Sequence, residues 1–281
     1  MNRAKWLEER RKGIGGSDVP GILGISPYSS PYAVWADKLG LLPTKECTEA
    51  MRQGTDLESY VATRFCEETG LKAHRTNRII RNVEYPYSLA NIDRRIIGEK
   101  AGLEIKTCSP FRLPDFGGDK YPPEYLAQCL HYLGVTGFDR WYLAVLILGT
   151  DFKVYQINRA GYEKDIEEIQ RQVSDFWTTY VIPQIPPPVD GTAATTAAIT
   201  SIYDTAVVNS VDLSGMEQAF TEIAILSEQQ KALEQEKERH KQSIKIAMGE
   251  NTRGVCSCYV ANWKARKDGV RVFSIIEKRG A

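Results

Sequence analysis

Neither sign of charge is in excess in this chain, whose 36 Lys and Arg residues balance 36 Asp and Glu. A protein that coats DNA indifferently to sequence needs a basic surplus against the phosphates. The balance therefore argues against that class and leaves room for a local basic patch. Long apolar runs are missing too. No stretch is long enough to span a bilayer, and the opening MNRAKWLEERRKG has no apolar signal core, so the expectation is a cytoplasmic protein with no membrane partner. Cysteines are few: Cys47, Cys66, Cys108, Cys129, Cys256 and Cys258 lie scattered, which predicts free thiols in a reducing compartment. Cys256-x-Cys258 is too close and too solitary for a structural zinc site and is expected as strand filler. His131, alone in an apolar helix, has no Cys or His at ligand spacing and is expected in packing or as a hydrogen-bonded neighbour. The remainder is ordinary: 281 residues, 42% hydrophobic and 26% charged, suit one large domain or a domain with an appendage.

What is present centres on Leu89–Thr107, LANIDRRIIGEKAGLEIKT. Leu89 to Ile97 reads as a strand carrying Asp93, GEKAG supplies the turn, and LEIKT returns as a second strand. Side chains alternate along a strand, so Glu104 and Lys106 share one face while Leu103 and Ile105 take the other. Two carboxylates brought close repel each other, and a divalent cation relieves that repulsion. Mg²⁺ prefers hard oxygen ligands and keeps several waters, one of which can serve as a nucleophile.

Asp93 followed by Glu104-Ile105-Lys106 resembles the signature of the PD-(D/E)XK nuclease superfamily. Four ordered blocks narrow this: RKGIGGSDVPGILGISPYSSPYAVWADKLG from Arg11, LANID at 89–93, GLEIKTCSPF at 102–111 and YLAQCLHYLGVTGFDRWYLAVL at 125–146. Together they are similar to the YqaJ-type viral recombinase family, related to the phage lambda exonuclease, over roughly the first two thirds of the chain. The resemblance implies an α/β (α+β) fold with a mixed central sheet flanked by helices. It implies a Mg²⁺-dependent site, with Mn²⁺ able to substitute, where Asp93, Glu104 and the Ile105 carbonyl hold two ions about 4 Å apart. Glu58, in the pattern Gly54-x-x-x-Glu58, matches the helix that adds a further acid; read alone, it is a solvated residue at the edge of the Leu57, Val61, Phe65 stripe. Lys106 would orient and deprotonate the water or stabilise charge developing at the phosphate.

Along the chain, IGGSDVPGIL is a glycine turn whose Ser17 or Asp18 can N-cap a short helix. Such a turn is either a plain cap or an anion site, and the resemblance favours the latter, with Arg11 and Ser17 holding a 5′-phosphate. Arg75, Arg78 and Arg81 are either a solvated strand face or a track for the DNA backbone. SPFRLPDFGGDKYPP, residues 109–123, is a loop long enough to act as a flap. On the helix Glu124–Leu133, Gln128 and Tyr132 lie one turn apart, where they can meet phosphate or water, while Leu126, Leu130 and Leu133 support a packed side. Arg140–Leu148 reads as a buried strand with a hairpin partner at 152–157, and a long helix fills 160–180.

The composition then changes. PQIPPPVD reads as a stiff spacer and GTAATTAAIT as low complexity, so the expected division is a nuclease core at 1–185, a linker at 186–212 and an appendage at 213–281 of one long helix and a small β unit. The function that the resemblance implies is that of a 5′-to-3′ DNA exonuclease resecting duplex ends for single-strand-annealing recombination. Its expected partners, implied by the resemblance, are an annealing protein captured by the appendage and a homo-oligomeric ring, possibly a trimer. The alternatives are an endonuclease with the same site and a catalytically idle DNA-binding module.

Overall fold

The computed structural model describes residues 3–44, 47–76 and 78–278. They fall into two compact units, divided between Ala206 and Val207. In the first, α1 (Arg3–Arg11), β1 (Ile14–Gly15) and α2 (Val19–Ile22) precede α3 (Pro31–Lys38), which opens on Ser30: the Ser30 hydroxyl accepts from Ala33 N–H at 3.1 Å. Thr48 caps α4 (Glu49–Thr69) in the same way, and Gly70 ends it at φ +72, where a side chain would be strained. Then follow β2 (Ala73–Arg75), β3 (Ile79–Arg81), β4 (Ser88–Asn91), β5 (Arg94–Ile96), β6 (Ala101–Cys108), α5 (Pro123–Thr136), β7 (Arg140–Ile147), β8 (Asp151–Asn158), α6 (Glu163–Phe176) and α7 (Ala193–Ile202). A π-helical turn, Trp177–Val181, continues α6.

Five strands form the main sheet in the order β2-β5-β6-β7-β8, with β6 and β7 parallel and the other pairs antiparallel. A second sheet has the order β1-β4-β3. The strand expected over 89–97 is thus split: β4 belongs to the small sheet and β5 to the large one, and the chain changes sheet at Ile92-Asp93. The alternation read from the sequence holds within β6. Leu103 and Ile105 bury against Val61 and Phe65 of α4, while α5 and α6 cover the other face, packing Leu130, Leu133, Ile166, Ile169 and Val173 on Leu143, Val145 and Ile147. The mixed α/β architecture is the one expected.

Other expectations need correction. Residues 186–206 are not a free linker: Pro187 is buried, and α7 packs on α3, with Thr195 Oγ1 donating to the capping Ser30 Oγ at 2.8 Å. The segment 109–123 is partly ordered, since Pro110–Asp115 forms a 3₁₀ helix capped by Ser109.

The second unit contains α8 (Glu217–Met248) and the antiparallel sheet of β9 (Arg253–Val255), β10 (Tyr259–Ala265) and β11 (Arg271–Glu277), ordered β11-β10-β9. α8 is exposed along nearly all its length. Cys256 and Cys258 are exposed in the turn between β9 and β10, not strand filler, and all six thiols are free. Among the described residues no helix is long and apolar enough to cross a membrane.

Candidate active site

Asp93 sits where the chain passes from one sheet to the other. The β5–β6 ladder stops at the Arg94–Leu103 pair, and beyond it Ile105 N–H donates to Asp93 Oδ2 at 2.9 Å, so the carboxylate is fixed against the strand that carries its partners. Glu104 and Lys106 project toward α5. Lys106 Nζ donates to Glu104 Oε1 at 2.6 Å and to Gln128 Oε1 at 2.9 Å, while Gln128 Nε2 donates to the same Glu104 oxygen at 2.7 Å. The expected constellation of Asp93, Glu104, Lys106 and Gln128 therefore converges, and the Ile105 backbone lies between its acids.

The electrostatics are those of a site short of positive charge. Burial, then the neighbouring charge of Glu104, pushes the Asp93 carboxyl up to about 8, against the pull of the Ile105 N–H and of Lys106. Burial alone would lower the Lys106 ammonium, but Glu104 reverses this and raises it, so the group is protonated at neutral pH. Glu104 Oε2 is buried and has no hydrogen-bond partner among the described residues. A buried carboxylate oxygen without a donor is costly. That orphan beside a second acid fits a hard divalent cation, with Asp93 and Glu104 as the donors.

Glu58 stands apart from this pair. Gly54 brings α4 close to β6, where an added Cβ would lie 3.4 Å from Thr107 Oγ1, and Glu58 follows one turn later. Its carboxylate is taken by Arg94, whose Nη1 donates both to Glu58 Oε1 and to the Asp93 carbonyl, the latter at 2.8 Å. Accordingly, among the described residues no three His, Cys, Asp or Glu side chains converge as a ready metal cage.

The glycine turn abuts this site from the α5 side. An added Cβ on Gly16 would lie 2.6 Å from the Tyr132 ring, which only glycine tolerates. Arg10, not Arg11, meets Ser17: Arg10 Nη2 donates to Ser17 Oγ and lies 3.5 Å from Asp18 Oδ1. Arg11, one position on, turns about 100° around the helix and lies toward Gly40. Asp18 does not cap α2 through its side chain. It turns back to accept from Gly15 N–H at 2.9 Å and pairs with the fully buried ammonium of Lys38 at 2.6 Å. Burial would raise the Asp18 carboxyl, but Lys38 and Arg10 outweigh it and hold it near 2.

Tyr132, expected to meet DNA, is only 4% exposed; its hydroxyl accepts from Gln128 Nε2 at 3.0 Å, so it supports Gln128 rather than facing a ligand. Arg75 and Arg78 are exposed, and Arg75 pairs in register with Arg94 across β2 and β5. His131 is buried with Nε2 on the Leu89 carbonyl at 2.9 Å, a hydrogen-bonded neighbour as expected. Sequence reasoning missed Arg10, Arg94, the Asp18–Lys38 pair and Tyr125. The Tyr125 ring lies 5.4 Å from Lys106 Nζ and 5.5 Å from the Arg112 guanidinium, tying the 3₁₀ helix to the site. The adjacency of Arg94 to Asp93 was the available signal for the Arg94 contact.

Comparison with known proteins bears on the fold and the family. LHK-Exo, an alkaline exonuclease from Laribacter hongkongensis, has a similar fold: TM-score 0.54 at 21% identity, over 65% of this chain and 94% of that one. Its complex with dAMP gives a TM-score of 0.55 at 20% identity over the same shares. The model of the YqaJ-like viral recombinase domain matches residues 5–139, which contain the glycine turn, Glu58, Asp93, Glu104, Lys106 and Gln128. The uncharacterized protein YqaJ of Bacillus subtilis (strain 168) is 36% identical over 269 residues, covering 94% of this chain and 84% of that protein. Similarity sustained through both units, and not only around the acidic pocket, places the chain in the YqaJ-like viral recombinase family.

Proposed function

We propose that the protein is a Mg²⁺-dependent deoxyribonuclease that resects duplex DNA ends from the 5′ side, with Mn²⁺ able to substitute. The observation that carries the reading is the buried, partnerless Glu104 oxygen beside Asp93, with Lys106 and Gln128 locked on the other Glu104 oxygen. Family membership and a fold shared with an alkaline exonuclease support it. Asp93, Glu104 and the Ile105 carbonyl would hold the cation. Bound there, it supplies positive charge to the scissile phosphate and lowers the pKa of water.

The chain's own residues do the rest. Lys106, protonated and fixed by two acceptors, donates to the oxygen on which charge develops and orients the attacking water. Gln128, braced by Tyr132, keeps the ammonium from collapsing fully onto Glu104. Arg10 and Ser17, in contact with each other, would take a terminal 5′-phosphate, and the exposed Arg75 and Arg78 would follow the backbone. Residues 207–281 would capture a single-strand annealing protein, and the core would assemble as a ring around DNA. An endonuclease would need no terminal pocket, so the convergence of Arg10 on Ser17 favours exonuclease action.

Time-resolved digestion tests this. Linear duplex with 5′-phosphate ends should disappear faster than duplex with 5′-hydroxyl ends, a closed circle should persist, and chelator should abolish all cleavage. Cleavage of the circle at the linear rate, or cleavage after exhaustive metal removal, overturns the reading.

A further inference from the structure

We propose that Arg94 locks Glu58 out of the cation site, so that the DNA-free protein holds one divalent ion tightly and takes a second only if Glu58 is released. This rests on the metal-dependent reading above and concerns how the same site counts its ions. The Arg94 side chain is 8% exposed and that of Glu58 22%. A guanidinium does not lose its proton in a protein, so this buried charge is permanent. It is held from two directions, by the Glu58 carboxylate and by the Asp93 carbonyl, and β5 fixes its backbone between Leu103 and Arg75.

The distribution of partners decides which acids are open to a cation. Glu104 Oε1 is served by Lys106 and Gln128, but its Oε2 has no partner among the described residues. Asp93 has the single Ile105 N–H. Glu58 is the acid paired to a dedicated arginine. With all three carboxylates ionised, as cation binding requires, they face the two cations Arg94 and Lys106, which leaves one unbalanced negative charge on the Asp93–Glu104 side. One divalent ion more than cancels it. A second ion would enter a site already positive, against a guanidinium, and without a third free carboxylate. Substrate phosphate, or loss of Arg94, supplies the missing negative charge.

The experiment is titration of the full chain with Mn²⁺ alone, without DNA, counting bound ions by calorimetry and by the free-Mn²⁺ resonance signal. Wild type is expected to bind one ion tightly. Arg94→Met, which keeps much of the length and removes the charge, should gain a second site or bind the first ion about tenfold or more tightly. Adding Glu58→Gln to Arg94→Met should return the count to one. A wild-type count of two ions of similar affinity overturns the lock and leaves the metal-site reading standing. So does an Arg94→Met titration that matches wild type in count and affinity. No Mn²⁺ bound by wild type beyond the level of Asp93→Asn overturns both.

Discussion

With Asp93 neutralised by Asp93→Asn, acidification should destabilise the first unit through His131. The ring is fully buried, its Nε2–H donates to the Leu89 carbonyl, and Nδ1 lies 3.4 Å from Gln170 Nε2. Burial, only partly offset by the Leu89 carbonyl, lowers its pKa to about 4. The unfolded chain titrates near 6.5, so the unfolded state takes up the proton first. Stability from this group is intact above about pH 6.5 and is lost as pH falls toward 4. The gap corresponds to about 3 kcal/mol once titration is complete, and to about 2 kcal/mol at pH 5. For a unit of this size that is about 4–8 °C in Tm. Asp93 acts in the opposite sense: its folded carboxyl lies near 8, above its unfolded value, so it gains stability as pH falls. Unfolding should therefore be measured in chelator between pH 7 and pH 5, comparing Asp93→Asn with Asp93→Asn/His131→Gln. The His131→Gln protein should start less stable and show the flatter profile. Parallel profiles would refute the assignment of the acid sensitivity to His131.

Lys106→Ala should retain Mn²⁺ binding while turnover falls by at least ~10²-fold, read by single-turnover cleavage; wild-type turnover removes Lys106 from the chemistry. Arg10→Ala and Ser17→Ala should narrow the preference for 5′-phosphorylated over 5′-hydroxyl ends, whereas Arg11→Ala should leave the ratio unchanged; an effect confined to Arg11→Ala puts the pocket elsewhere. A chain ending at Ala206 should keep metal-dependent cleavage and lose capture of the annealing protein, read by pull-down beside a nuclease assay. A folded truncation unable to cut would assign the second unit to catalysis. Asp18→Asn should destabilise the first unit by about 3–5 kcal/mol in urea unfolding, because Lys38 would remain buried without its counter-ion.

The sequence displayed the acids and the lysine because strand alternation alone puts Glu104 and Lys106 on one face, and the turn between β5 and β6 returns them to Asp93. Gln128 was legible for a similar reason, lying on a helix whose apolar side was plain. Arg94 was not, since an arginine in a strand reads as exposed and only the passage between sheets turns it inward against Glu58. The exchange of Arg11 for Arg10 is the error that helix geometry makes easy: adjacent residues point about 100° apart, and the neighbouring words do not fix the phase. The supposed linker failed differently. α7 buries Thr195 and Ala198, small residues that leave no hydrophobic period, and its anchor is a hydroxyl contact to a residue 165 positions earlier. Tyr132 was placed on the right face of α5, but that face is closed over by Gly16.

The passage of the chain from one sheet to the other at Asp93 also sets when the protein becomes dangerous. Asp93 is aimed only after β4 has joined β1 and β5 has joined β6; β6 in turn is flanked by β7, which ends at Ile147 and leaves the ribosome later. Domains fold as units during synthesis. On the proposed chemistry, a nascent or prematurely terminated chain that stops short of Ile147 carries Asp93, Glu104 and Lys106 but not the framework that brings them together. Such fragments would lack an assembled site, and cutting would begin with the finished core.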